Sequence, residues 1–261
     1  MAETILETET FEAHLTAPGV IRVRILSKPF GVFTIDARRR LTAFLETVGT
    51  AHGARCVVLI GTGASFSAGS NIREFEATAD WIEEARRVET KLNETIERGP
   101  VPVIAACNGH TLGGGAVMAL ACDFRIAGRS ATFGVPEVKL GAMPTATGTM
   151  RLPLLVGRGQ ALRLILTGQS IDAAEALRIG LVEEVVDDDR LDARALELAG
   201  QIAAVSPEAV SAARRCVSAS LRLGYQAGLL MEEELTVPLG LSDDAIEGKA
   251  AFVEKRAPRF R

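Results

Sequence analysis

Asn108-Gly109-His110-Thr111-Leu112-Gly113-Gly114-Gly115-Ala116-Val117-Met118-Ala119-Leu120-Ala121 runs three consecutive glycines straight into a small, apolar helix. The first turn of a helix has no internal acceptors for its N–H groups, and the helix dipole adds partial positive charge there. A ligand carbonyl or anion can dock on such a join, because glycine keeps side chains out of the way. The same pattern also suits a turn feeding a tightly packed core helix. A second glycine-rich segment favours the ligand. Residues 56–61 read Cys-Val-Val-Leu-Ile-Gly, a short buried strand, and continue as Thr62-Gly63-Ala64-Ser65-Phe66-Ser67-Ala68-Gly69-Ser70-Asn71-Ile72 toward an expected helix. Two strand exits of this kind can each aim one N–H at the same oxygen, which is what an oxyanion hole requires.

The common nucleotide and hydrolase motifs do not fit these loops. A dinucleotide fingerprint started at Gly61 meets Phe66 where its last glycine belongs, and one started at Gly113 meets Met118. Neither loop ends in Gly-Lys-Ser/Thr, so no phosphate-binding P-loop is present. The nucleophile elbow fails at Ser67, since Ser65 stands two residues before it.

Phe66-Ser67-Ala68-Gly69-Ser70-Asn71-Ile72 and Asn108 to Gly115 together resemble the two signature segments of the crotonase family, the enoyl-CoA hydratases and isomerases. Further matches follow in order. Cys122-Asp123-Phe124-Arg125-Ile126-Ala127 looks like the strand after the glycine helix, and Phe133-Gly134-Val135-Pro136-Glu137-Val138-Lys139-Leu140-Gly141 like the catalytic strand and loop. Arg151-Leu152-Pro153, Leu166-Thr167-Gly168 and Gly180-Leu181-Val182 resemble later landmarks. The resemblance implies an α/β fold, a crotonase-like ββα spiral core over 1–188, and a C-terminal helical oligomerisation region over 189–261 that builds trimers or hexamers.

By motif position, the resemblance assigns the oxyanion-hole N–H groups to Ala68 and Gly114, which would stabilise an enolate of an acyl-CoA thioester. Coenzyme A is then part of the substrate, and neither a separate cofactor nor a metal is implied. Gly69, Ser70, Asn71, Val117 and Lys28 join Ala68 and Gly114 as expected substrate-binding positions. Family hydratases carry two glutamates; Glu137 fills the first position, but the second holds Val117, which cannot ionise. A general acid–base group contributes about 10²–10⁴ in rate, so its loss raises the hydration barrier by about 3–5 kcal/mol. One carboxylate is enough to take a proton from the α-carbon and return it at the γ-carbon, so double-bond isomerisation by Glu137 ranks first. Hydration by a differently held water, a silent acyl-CoA binder and a thioester hydrolase remain as alternatives.

Other positions are less decisive. Thr145 and Thr147 replace a more glycine-rich turn and read as helix caps or water holders. His110 reads as a loop residue. The family's early Asn-Ala pair is absent near Lys28, which together with Lys255 is a candidate for a CoA phosphate. Val117, Phe66, Trp81, Phe75 and Met143 are candidate pocket residues.

At 261 residues and 48% hydrophobic content the chain can bury a substantial core. A formal charge of −4 argues against a general nucleic-acid partner. Cys56, Cys107, Cys122 and Cys216 form no Cys-x-x-Cys pair, the N-terminus lacks an export signal, and no apolar run reaches the ~20 residues of a membrane span. A cytoplasmic protein is expected. Ala17-Pro18-Gly19 signals a hairpin between strands at 12–15 and 20–26. Leu41, Phe44, Leu45 and Val48 form the buried stripe of a helix on which Arg38-Arg39-Arg40 reads as a solvated face. A later helix is expected to start at Asp80 with Glu83 as capping box, to bury Ile82, Ala85, Val88, Leu92 and Ile96, and to stop at Gly99-Pro100.

Overall fold

β1 (Glu3–Glu7), β2 (Phe11–Ala17) and β3 (Val20–Ile25) form an antiparallel meander, and its second turn runs through Pro18-Gly19. In this computed structural model, residues 3–26 and 30–260 are described. The short β4 (Val32–Phe33) leads into α1 (Ile35–His52), where Thr34 Oγ1 accepts from Ala37 N at 3.0 Å as an N-cap. The stripe Leu41, Phe44, Leu45 and Val48 is buried, as its spacing predicts.

From here a ββα unit repeats. β5 (Cys56–Gly61) is followed by β6 (Ser65–Ser67), the short β7 (Gly69–Ser70) and α2 (Ala79–Arg98). β8 (Val103–Cys107), β9 (His110–Leu112) and α3 (Gly114–Ala121) make the next unit. β10 (Phe124–Gly128) and β11 (Thr132–Gly134) lead through a 3-10 turn at Pro136–Leu140 into α4 (Gly148–Thr167). The first strands of the units join one seven-stranded sheet, in the order β1-β2-β3-β5-β8-β10-β13, which is parallel from β3 onward. The second strands pair in parallel as β6, β9 and β11 in another sheet, closed by β12 (Ile171–Asp172). After α5 (Ala173–Arg178), β13 (Glu184–Val186) is the last strand among the described residues. The expected ββα spiral is therefore observed. Val103 to Cys107 are buried throughout, as a parallel strand covered on both faces requires.

The expected helix after Gly69 is not there. The loop forms β6 and β7 and then a single 3-10 turn, Ile72–Glu74, because its residues pair with β9 and β4. α2 is capped two residues earlier than predicted. Thr78 Oγ1 accepts from Trp81 N at 3.3 Å, whereas Glu83 is engaged by Arg86, with Nε at 2.9 Å. Ile82 is exposed, and the buried apolar stripe begins at Val88.

Buried Arg125 fixes the far end of α3. Its Nη1 donates to Cys122 O at 2.7 Å and its Nε to Leu181 O at 2.9 Å, and its Nη2 pairs with Glu183. A cation at the negative end of the helix dipole is favourable.

The chain divides into two compact units, one ending at Ala199 and the other starting at Gly200. Sequence reading placed the change at 188/189, where strand signals cease. The difference lies in α6 (Leu191–Ala203), whose first turns pair with strand residues: Asp192 with Arg22 at 2.7 Å and Arg194 with Glu184 at 2.9 Å. The second unit contains α7 (Pro207–Leu223), α8 (Tyr225–Gly240) and α9 (Asp243–Glu254). Ser206 caps α7 and donates to Asp244 at 2.7 Å, and Gly228 lets α8 approach Ser220 so closely that a Cβ would stand 2.6 Å from the serine Cβ.

Thr147 does not cap α4. It is left-handed, with φ +79°, next to Ala146 at φ +49°, and its hydroxyl turns back to the Ala146 carbonyl. A β-branched residue in this region stores about 1–3 kcal/mol of strain. Thr147→Gly should therefore raise the urea midpoint, by about 1 kcal/mol in stability. A lowered midpoint would mean that the hydroxyl contributes more than the strain costs.

Candidate active site

The two glycine-rich strand exits meet backbone to backbone. Gly69, at φ +89°, faces Gly114 so closely that a Cβ on it would lie 2.6 Å from the Gly114 nitrogen. A Cβ on Gly115 would lie 2.2 Å from the Ser67 carbonyl oxygen. Side chains larger than hydrogen are excluded at both points. Gly113, at φ +54°, turns the chain into α3, and among the described residues no acceptor takes the Gly114 N–H.

The partner donor is occupied. The Ala68 N–H, expected to point into the hole, donates to the Phe30 carbonyl at 2.8 Å. The reason is the pairing of β4 with β7, which draws the chain before Val32 along the 68–71 segment. A substrate carbonyl would have to take over this donor from Phe30.

Glu137 sits in the 3-10 turn after β11 and turns toward the glycine corner, where its Oε1 lies 3.5 Å from the position a Gly113 Cβ would take. Its Oε2 is buried without a hydrogen-bond partner. Burial pushes its carboxyl above the usual range; its own backbone N–H opposes this, and the charge of Glu89 adds to it. A carboxyl raised in this way keeps its proton to higher pH than a free one, which suits a group that gives and takes protons.

Val117 is 1% exposed and fills space. Its Cγ2 lies 2.7 Å from where a Gly148 Cβ would be, so it packs against the start of α4.

Arg38 corrects the solvated-face reading of the arginine triplet. Arg39 and Arg40 are exposed and pair with Glu84 and Asp36, but Arg38 is buried. Its Nη2 donates to Ser70 Oγ at 3.0 Å and to Glu89 Oε1 at 3.3 Å, and its Nη1 donates to Phe33 O at 3.1 Å. Glu89 Oε1 would stand 2.3 Å from a Cβ on Gly114. Sequence reading missed both residues. A signal was present in α2, where Glu89, Asn93 and Glu97 recur every four residues beside the apolar stripe. Asn93 Nδ2 donates to Ala146 O at 3.0 Å, and Glu97 pairs with buried Arg151.

The remaining candidates disperse. Ser70 serves Arg38, and Asn71 Oδ1 accepts from Arg73 N at 3.2 Å as the cap of the 3-10 turn. Lys28 lies outside the described residues. Lys255 ends α9 in a left-handed conformation. Phe66 is fully buried in the core, Phe75 and Met143 are exposed, and Trp81 packs edge-on against Phe75. His110 is exposed, with Nδ1 2.9 Å from Thr132 Oγ1. Cys107 and Cys122 are buried, and burial pushes the Cys107 thiol up to about 12, so neither is a poised nucleophile.

Residues 18–261 match the family model described as enoyl-CoA hydratase/isomerase. The chain belongs to this family. It is 38% identical over 217 residues to the 2,3-dehydroadipyl-CoA hydratase of Escherichia coli, covering 83% of this chain and 85% of the relative. The solved enoyl-CoA hydratase of Bacillus anthracis is 35% identical, with a TM-score of 0.92 over 96% of this chain and 98% of its own. Pseudomonas aeruginosa DspI is 34% identical, with a TM-score of 0.93 over 98% of each chain. Family membership and fold agree with the sequence reading. Among the described residues no helix is long and apolar enough to cross a membrane.

Because the Glu137 carboxyl is raised, the native state holds its proton to higher pH than the unfolded chain. Its charged form therefore costs stability as pH rises through the native value, and the cost vanishes below both values. Glu137→Gln should unfold at a higher denaturant concentration than wild type at pH 7, with the gap narrowing toward pH 4. An equal or lower midpoint at pH 7 would contradict the unpartnered burial of this carboxylate.

Proposed function

We propose that the chain acts on an enoyl-CoA thioester through an enolate, with Glu137 as the acid/base and the Gly114 and Ala68 N–H groups as the oxyanion hole. The observation that carries this reading is the raised, partly unpartnered Glu137 carboxylate beside the glycine corner that holds the free Gly114 donor. On binding, the thioester oxygen accepts from Gly114 and displaces the Phe30 carbonyl from Ala68. Glu137 takes a proton from C2 of a 3-enoyl thioester, the electrons pass to the thioester oxygen, and return of the proton at C4 leaves the 2-enoyl product. Glu137 completes this isomerisation unaided. Coenzyme A enters as part of the substrate, and the names of the relatives support that substrate class.

Hydration is a second reading, favoured by one observation: the Glu89 carboxylate lies against Gly114 although Val117 occupies the family's second glutamate position. Assembly into trimers or hexamers is supported by the outward apolar residues Leu221, Leu223, Leu230, Val237 and Phe252 of the C-terminal helices.

In heavy water, wild type given 3-enoyl-CoA should move the double bond and take up deuterium, read by mass spectrometry. Glu137→Gln should lower this rate by about 10²–10⁴ while acyl-CoA affinity stays within a few-fold. Unchanged turnover would remove Glu137 as the base; binding without turnover in wild type would favour a silent acyl-CoA binder, and release of free CoA thiol a hydrolase.

A further inference from the structure

Two consecutive glycines each carry a carboxylate oxygen over the place where a side chain would begin. Glu137 Oε1 is 3.5 Å from the Gly113 position and Glu89 Oε1 is 2.3 Å from the Gly114 position. Consecutive Cα atoms are about 3.8 Å apart, so the two carboxylates flank the single peptide unit that bears the Gly114 N–H. They arrive from different elements, Glu137 from the turn after β11 and Glu89 from α2. The charge of Glu89 adds to the burial that raises the Glu137 carboxyl.

A carboxylate beside an oxyanion hole opposes the charge that develops there, unless a cation compensates it. Arg38 is that cation. Its side chain is 7% exposed and that of Glu89 is 14% exposed, so the pair is largely shielded from water and its desolvation is costly. Two further hydrogen bonds, to Phe33 O and Ser70 Oγ, hold Arg38 in place. Arg38 is the one partner that Glu89 has among the described residues, so the carboxylate keeps accepting capacity for a water.

We propose that Glu89, held in place by Arg38, is the second carboxylate of this site and binds the water that adds to C3 of a 2-enoyl thioester. The water oxygen bonds to C3 as the π electrons move to the thioester oxygen, and Glu89 receives the water proton. Glu137 in its acid form then protonates C2 of the enolate. The sum is addition of one water, and the proton on Glu89 returns to Glu137 through solvent. α2 thus supplies the group that α3 lacks at Val117. The inference rests on the enolate reading with Glu137 as the acid/base.

The test compares wild type, Glu89→Gln and the double variant Arg38→Gln/Glu89→Gln, which leaves no buried charge unpaired. Each is given 2-enoyl-CoA to follow hydration and 3-enoyl-CoA in heavy water to follow proton transfer. Hydration should fall by about 10²–10⁴ in both variants, at least tenfold more than bond migration falls. Hydration that survives in the variants, falls no more than bond migration, or is absent from wild type overturns the role of Glu89. Loss of proton transfer in wild type itself would overturn the Glu137 reading, and bond migration without hydration would leave that reading standing alone.

Discussion

The site depends on a contact between two stretches of backbone. Gly69 and Gly114 come together with no side chain between them, and Gly115 does the same against the Ser67 carbonyl. This approach is possible because β6 and β9 lie side by side in parallel, each continuing from a neighbouring strand of the large sheet. Strand pairing therefore sets the spacing of the two loops, and glycine lets them close. The start of α3 then presents its first N–H groups without acceptors, while Arg125 satisfies carbonyls at its other end. A helix held at both ends is a rigid platform for a donor that must not move when charge develops beside it.

The electrostatics are organised by α2. Its polar stripe touches three parts of the site in succession: Glu89 at the glycine corner, Asn93 at the Ala146 carbonyl and Glu97 at Arg151. One helix thus positions a carboxylate, the strained turn before α4 and α4 itself. Arg38 balances the charge that Glu89 brings. Val117 fills space against Gly148, and Glu89 brings a carboxylate to the Gly114 position from α2. The Ala68 N–H is paired with the Phe30 carbonyl, so this backbone donor is not left unsatisfied.

Much of this was legible in the sequence, and the limits have physical causes. Glycine spacing and apolar strands announced the ββα units, since backbone closeness and burial act on residues near in the chain. Motif position singled out Glu137 and the Gly114 N–H, and in the structure the Glu137 Oε1 lies 3.5 Å from where a Gly113 Cβ would be. Arg38 was read as solvated because a triplet of arginines on a helix is normally so; its burial comes from Glu89, 51 positions away. The cap of α2 was misplaced by two residues because Thr78, Asp80 and Glu83 offer competing caps, and Arg86 takes the last of them.

The sequence by itself determined the alternation of strands and helices, the two glycine-rich exits and a lone glutamate in the expected motif. These follow from local sterics and from the burial period of each segment. Only the tertiary structure decided that Ala68 donates to Phe30, that Val117 is filler, and that Glu89 with Arg38 stands against the same peptide as Glu137. Each of these is a relation between segments distant in the chain. Coulomb and hydrogen-bond energies depend on separation and solvent exposure, and both are set only when the sheets and helices have packed.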